Sequence, residues 1–432
     1  MVRLSRFQTR RPERGITLAL VAISIVALFG VAALLIDVVT LYVARADAQR
    51  VANAAALAGA KALVDGGVTA DPTDSANDWD TACDMATVQA QKIAGTSTIG
   101  GVTATLPTGN VLFGANALPL SASCPTSGSA GNFGVNPHVG VTVQSAPLPL
   151  FFAKILGPAS ARVSATGLAE GFNSSGTSVP VTSKGVMPWL IPNADPNGGL
   201  IIDTSGGTTD GQIVKPGPTG IIGEEIALTM GCTGGCGTLN SPAVSGSKST
   251  YYPLDLNNPS SSLPSCFGAG TTYEMNVAVN NPTPMKCGVV ATLDPSVAST
   301  DVANETALEC RIGASSNGLG KGQDSVDPAF PFQMEAGSAN PLVGHGVAAT
   351  NVISISRSVV TIPVYDAGAS PYAVPVSPVV IGFVQGFVES ASGGDPTIKV
   401  LNVSGCGTTA RAAAAGVGSD GESAVPVRLI HP

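Results

Sequence analysis

Twenty-one consecutive residues, Ile16 to Ile36, carry no charge, and only Thr17 and Ser24 in this run have polar side chains. A bilayer's hydrocarbon layer is crossed by about 20 apolar residues, so the run is long enough to span it and little longer. Five arginines precede it (Arg3, Arg6, Arg10, Arg11 and Arg14), and positive flanks stay on the cytoplasmic side. The resulting reading is a cytoplasmic basic leader, 1–14, one transmembrane helix, 15–37, and everything else on the outer side. Two other readings compete with this retained anchor. A buried core helix of such length is unusual without charges, and a cleaved secretory signal has an apolar region of only about 7–15 residues.

Helical spacing continues beyond the run. From Val38 to Leu63 there is no Pro and one Gly, Gly59. Small apolar residues recur at Leu41, Ala44, Ala48, Val51, Ala55, Ala58 and Ala62, with Asp47 and Arg50 one turn apart on the polar side. Asp65-Gly66-Gly67 supplies the stop. The segment 38–64 is therefore expected to be an amphipathic stalk. Its alanine stripe serves a close neighbour, either the chain's own domain or another subunit, and own-domain packing is the favoured expectation.

Charge divides the chain. Residues 1–62 hold eight cations against three anions, leaving 13 cations against 26 anions in the rest. An outer body this acidic repels nucleic acid and anionic lipid, so neither is expected as its partner. Gly and Pro number 52 and 32, and only 12% of residues are charged, a turn-rich composition that favours β structure. The eight cysteines (Cys83, Cys124, Cys232, Cys236, Cys266, Cys287, Cys310 and Cys406) all follow the apolar run. On an oxidising side they make up to four disulfides of undetermined pairing. Cys232 and Cys236 are the tight pair and a possible disulfide; a zinc site would need two further close ligands, and His138, His345 and His431 are scattered.

Val139, Val141 and Val143 alternate as a strand, and Val163, Ala165, Gly167 and Ala169 alternate as another. Between them Leu150 to Leu156 reads as one or two helical turns ending at Gly157. Asn173 to Ser178 has linker-like polarity and marks a boundary. Further on, Val359 to Tyr365 is a strand in which Pro363 indicates an edge or an end. Ser377 to Val388 and Thr397 to Val403 are apolar enough for buried strands, and the region reads as an irregular β-rich domain whose topology the sequence leaves open, a sandwich being one option. The tail from Ala410 to Gly421 is rich in small residues, and order is expected to return near Val425 to Ile430.

Chemistry-bearing constellations are scarce. Asp71, Asp74, Asp78 and Asp80 crowd one loop without the ligand spacing of a calcium site, and a solvated acidic turn is expected. Glu224-Glu225 is adjacent in sequence, so on a strand the two point to opposite faces. No phosphate loop, Ser-His-Asp order or HExxH occurs. No catalytic, cofactor-binding or metal residue is assigned, no cofactor is expected, and the chain is read as not an enzyme.

The stretch RRPERGITLALVAISIVALFGVAALLIDVVTLYVARADAQRVANAAALAGAKAL, residues 10–63, resembles the N-terminal region of the Flp pilus-assembly TadE/TadG-like family. HVGVTVQSAPLPLFFAKILGPASARVSATGLAEG, residues 138–171, resembles that family's pattern of strand, short Phe-Phe-Ala helix and strand. MPWLIPN, Met187 to Asn193, and the valine-rich end resemble TadG-like outer domains more loosely. The resemblance implies a bitopic accessory protein of the bacterial cytoplasmic membrane. Its N-terminus would lie in the cytoplasm, its body outside, and its partners would be the membrane and other pilus-assembly proteins. Prepilin-like relatives are cut after a glycine, which makes Gly15 and Ile16 the possible processing site. Such relatives carry Glu at the fifth mature position, where this chain has Leu20. Some TadG-like proteins carry a von Willebrand A metal site of the form Asp-x-Ser-x-Ser. Here Asp203-Thr204-Ser205-Gly206-Gly207 lacks the last hydroxyl, so a turn is expected and no intact metal site.

The expected fold is α+β: a long N-terminal transmembrane and stalk helix followed by a mostly β extracytoplasmic body, with a TadE/TadG-like region at 65–170 and a β-rich domain at 171–432. The expected function is an accessory component of Tad/Flp pilus assembly or of the cell envelope. The alternative is a tethered surface module that binds glycan or matrix.

Overall fold

The computed structural model describes residues 14–70, 79–125, 133–155, 160–176, 181–206, 210–214, 220–257, 263–298, 302–314, 322–368, 372–392, 395–406, 417–418 and 424–430. Helix α1 (Arg14–Asp65) has 52 residues, or roughly 78 Å at ~1.5 Å each. Its two halves have opposite environments. Through Val43 its large apolar side chains stand exposed, Leu18 at 76% and Phe29 at 72%, except the half-buried Leu41. From Ala44 onward one side is buried, with Ala44, Ala48, Ala52, Ala55, Ala56 and Ala60 all at 0%. The alanine stripe thus packs within the chain's own domain. Helix α2 (Asp80–Gly95) lies along it, burying Ala82, Cys83, Ala86, Ala90 and Ala94. The helix ends where expected, with the amides of Gly66 and Gly67 closing onto the carbonyls of Ala62 and Val64. Gly67 has φ +83°, and a Cβ there would lie 2.9 Å from the Leu401 carbonyl oxygen.

Strands β1 (Val111–Gly114), β2 (His138–Gln144) and β3 (Ser164–Gly171) form an antiparallel sheet. The β2–β3 register sets Val139 opposite Ala169, Val141 opposite Gly167 and Val143 opposite Ala165. One strand therefore presents valines and its neighbour small residues on the same face, and α1 lies on that face. At Gly167 a Cβ would meet the Ala52 carbonyl at 2.5 Å. Between β2 and β3 the expected helical turns are a single 3-10 turn, Ala153–Ile155; Gly157 lies outside the described residues.

The rest is built on six strands: β4 (Trp189–Pro192), β5 (Glu225–Met230), β6 (Lys248–Pro253), β7 (Val359–Tyr365), β8 (Val380–Ser392) and β9 (Asp395–Gly405). They close into a barrel in the order β5-β6-β4-β7-β8-β9, which settles the topology left open by the sequence as a barrel and not a sandwich. The barrel includes two parallel pairings, β5 with β6 and β4 with β7, and the second joins segments distant in sequence. Pro363 lies inside β7, opposite Phe383 of β8, rather than at an edge. Thr361 and Tyr365, on the other edge, accept from the amides of Met187 and Asn193 at 2.8 Å each. Backbone groups alternate sides along a strand, so the donor that Pro363 lacks falls on that edge. The ladder to β4 there covers only Val364 and Tyr365. Trp189, Tyr251, Val360, Val384, Phe387 and Val400 belong to one buried apolar cluster on the barrel strands. Helices α3 (Thr272–Ala278), opened by a Thr271–Glu274 capping box, and α4 (Val302–Ile312) belong to the same core.

Strand β10 (Val427–Leu429) returns to the first sheet and pairs with β3, Val427 opposite Gly171 and Leu429 opposite Ala169. The start of the presumed linker is buried at the junction of sheet and barrel. Asn173 donates to the carbonyls of Thr69 (2.6 Å) and Val403 (2.8 Å), and the Ser175 hydroxyl accepts from the Gly405 amide at 2.8 Å. These polar side chains satisfy backbone groups that would otherwise be buried without partners. They join the sheet and the barrel instead of separating them; residues 177 and 178 lie outside the described residues.

Candidate functional site

Asp37 follows the charge-free run directly, yet it is only 3% exposed. Its carboxylate accepts three successive amides from the loop between β2 and β3: Phe151 at 2.9 Å, Phe152 at 2.9 Å and Ala153 at 2.6 Å. Successive N–H groups converging on one anion are a backbone nest. They supply the bonds that water would otherwise supply, so a carboxylate can sit among Val38, Val39 and the apolar residues before it. The nest also fixes the loop against α1 with the side chains of Phe151 and Phe152 outward, 64% and 39% exposed.

A second polar cluster closes the sheet. Glu170 of β3 meets His138 Nε2 of β2 at 3.1 Å and is paired with the Arg428 guanidinium of β10. Arg428 also lies over the Phe172 ring, 4.5 Å from its centroid. Burial pushes the Glu170 carboxyl up, but the hydrogen bonds and charges of His138 and Arg428 outweigh it and hold the group below its ordinary value. At the far end of α1, burial pushes the Asp65 carboxyl above its ordinary value, against the partial relief given by Lys61 at 2.7 Å and by Gln385.

Gly15 and Ile16 both lie in the first turn of α1. Cys232 and Cys236 are bonded to each other and buried in the loop after β5. The other bonds are Cys83–Cys124, Cys266–Cys310 and Cys287–Cys406. Asp203 accepts from the amide and hydroxyl of Ser205 in a local turn; Gly207 lies outside the described residues. So do Asp71, Asp74 and Asp78, whereas Asp80 opens α2. Glu224 accepts from Asn197 and Glu225 is exposed at the start of β5, so the two do not converge. A cavity of about 350 Å³ lies beside Tyr365, Pro375 and Ile381, with Asp366 as the charged residue in its lining.

Two features escaped the sequence reading. Asp37 enters the sequence reading only as one of three anions in residues 1–62, and nothing local marks its partners, which are backbone amides. The His138–Glu170–Arg428 cluster had a faint trace: His138 and Glu170 open and nearly close one family-like stretch.

No curated protein and no solved structure matches the chain. The family model described as putative Flp pilus-assembly TadE/G-like matches residues 15–62, which is α1 almost from end to end. The chain therefore carries a TadE/G-like Flp pilus-assembly domain on its long N-terminal helix.

Proposed function

We propose that the chain is a single-pass, membrane-anchored accessory component of Tad/Flp-type pilus assembly or of the cell envelope. It works through protein–protein contacts on the outer side and catalyses no reaction. The observation that carries this reading is the pilus-assembly family match on a helix whose charge-free run stands exposed from the rest of the fold. Exposure of the apolar run from Leu18 to Ile36 supports insertion in lipid, and the arginine leader supports a cytoplasmic N-terminus. Four disulfides suit an oxidising outer compartment. Leu20 at the position where prepilins carry Glu supports an uncleaved anchor.

Deleting the gene tests the reading. Loss of pili and of surface adhesion, restored by the full chain but not by one lacking residues 15–37, is the expected result. Normal piliation and adhesion in the deletion strain would overturn it. Mass spectrometry of the mature N-terminus separates retention, at Met1 or Val2, from prepilin-type processing, at Ile16.

A further inference from the structure

We propose that the loop carrying Phe151 and Phe152 is a second membrane contact, which enters the outer lipid interface beside α1 and fixes the height and tilt of the body above it. The proposal rests on the anchor reading of α1.

Position is the first argument. If Ile16 to Ile36 fills the hydrocarbon layer, Asp37 stands at the boundary where the chain leaves it, whichever way the chain is oriented. Three hydrogen bonds from Phe151, Phe152 and Ala153 tie the loop to that residue, so the two phenylalanines are at the boundary as well. Exposure is the second argument. Among the described residues, Phe29, Phe151 and Phe152 are the phenylalanines more than a third exposed, and Phe29 belongs to the span itself. Phe113, Phe133, Phe172, Phe267, Phe332, Phe383 and Phe387 are all buried. Continuity is the third. The exposed apolar surface of α1 passes Asp37 through Val38, Val39, Tyr42 and Val43, at 54%, 59%, 76% and 53%. That extension is roughly 10 Å at ~1.5 Å per residue, comparable with the ~5–10 Å depth of an interfacial apolar element. Tyr42 has the amphipathic ring that interfaces enrich, and exposed Lys154 places a cation where lipid phosphates lie. The Asp37 nest completes the arrangement, because three backbone amides supply the hydrogen bonds that its carboxylate would otherwise need from water at this level.

The test uses the full chain in vesicles of phosphatidylcholine and phosphatidylglycerol, with Phe151→Trp as the probe. Trp79 and Trp189 are 1% and 0% exposed and give a background measured on the unsubstituted chain. Val376→Trp, at a position 91% exposed between β7 and β8, is the aqueous reference. The indole at 151 is expected to lose most of its fluorescence to lipids brominated near the headgroup end of the acyl chain and little to aqueous iodide. The reference is expected to behave in the opposite way. Adding Asp37→Ala should leave the span resistant to alkaline carbonate extraction while lipid quenching at 151 drops severalfold; unchanged quenching would overturn the anchoring role of Asp37. A chain stripped from the vesicles by carbonate would overturn the anchor reading and this proposal together. An inserted chain whose residue 151 is quenched by iodide would overturn the loop assignment alone. Shielding from both quenchers would overturn it too, since the residue would then face protein.

Discussion

Glu170 and Asp65 are both buried carboxylates, and their surroundings act on them in opposite senses. Burial raises each, but His138 and Arg428 more than compensate at Glu170, whereas Lys61 and Gln385 fall short at Asp65. For Glu170 the folded value lies below the ordinary 4.5. Its contribution is therefore present above that pH and is lost as pH falls through the folded value. Urea unfolding of the parent should show a declining midpoint as pH drops below 4.5, and Glu170→Gln should flatten the decline. At pH 7 that variant should lose about 1–2 kcal/mol, toward the low end for a charge-assisted bond because the Arg428 side chain is 43% exposed. For Asp65 the folded value lies above the ordinary 3.8. Its favourable contribution is present at low pH and is lost as pH rises through the folded value. Asp65→Asn, which keeps a polar group for Gln385 and leaves Lys61 at 37% exposure to find water, should raise the urea midpoint at pH 7. The gain should be about 0.5–1.5 kcal/mol and should vanish toward acid pH.

At the scale of elements, the fit of α1 onto β3 depends on the absence of side chains. Gly167 faces the helix backbone directly, with Ala52 and Asn53 within 2.5 to 2.7 Å of where a Cβ would be. Gly167→Val should cost about 1–3 kcal/mol by overpacking and should speed amide exchange selectively along residues 44–63. Gly109→Ala, with nothing within 4 Å, is the control expected to change neither. This packing was partly legible in advance. A charge-free run, alanines at helical spacing and the glycine pair after Asp65 are local signals, and so is the alternation of Val139, Val141 and Val143. Barrel closure had no such signal, because parallel neighbours such as β4 and β7 share no turn. Asn173 and Ser175 mislead by composition: polar residues resemble a linker until their partners at Val403 and Gly405, distant in sequence, are known. The Asp37 site has the same difficulty, since its three partners are backbone amides that any sequence would offer.

Across the whole molecule, the C-terminal strand ties the end of the chain to the sheet, while each disulfide closes a loop within the sheet part or within the barrel part. Cys287–Cys406 closes a loop of 119 residues and Cys232–Cys236 one of 4. Chain entropy alone assigns about 5 kcal/mol to the first and about 2 kcal/mol to the second. Serine replacement of the long-range pair should therefore lower the urea midpoint, followed by tryptophan fluorescence, well below that of the short-range replacement. The pairing of β10 with β3 has a consequence in time. Arg428 is 258 residues later than its partner Glu170. At a synthesis rate of ~5–20 residues per second, the outer edge of β3 waits roughly 13 to 50 s for its own strand. An unpaired edge accepts any extended segment that reaches it, so until β10 emerges the nascent sheet is open to strands from neighbouring chains.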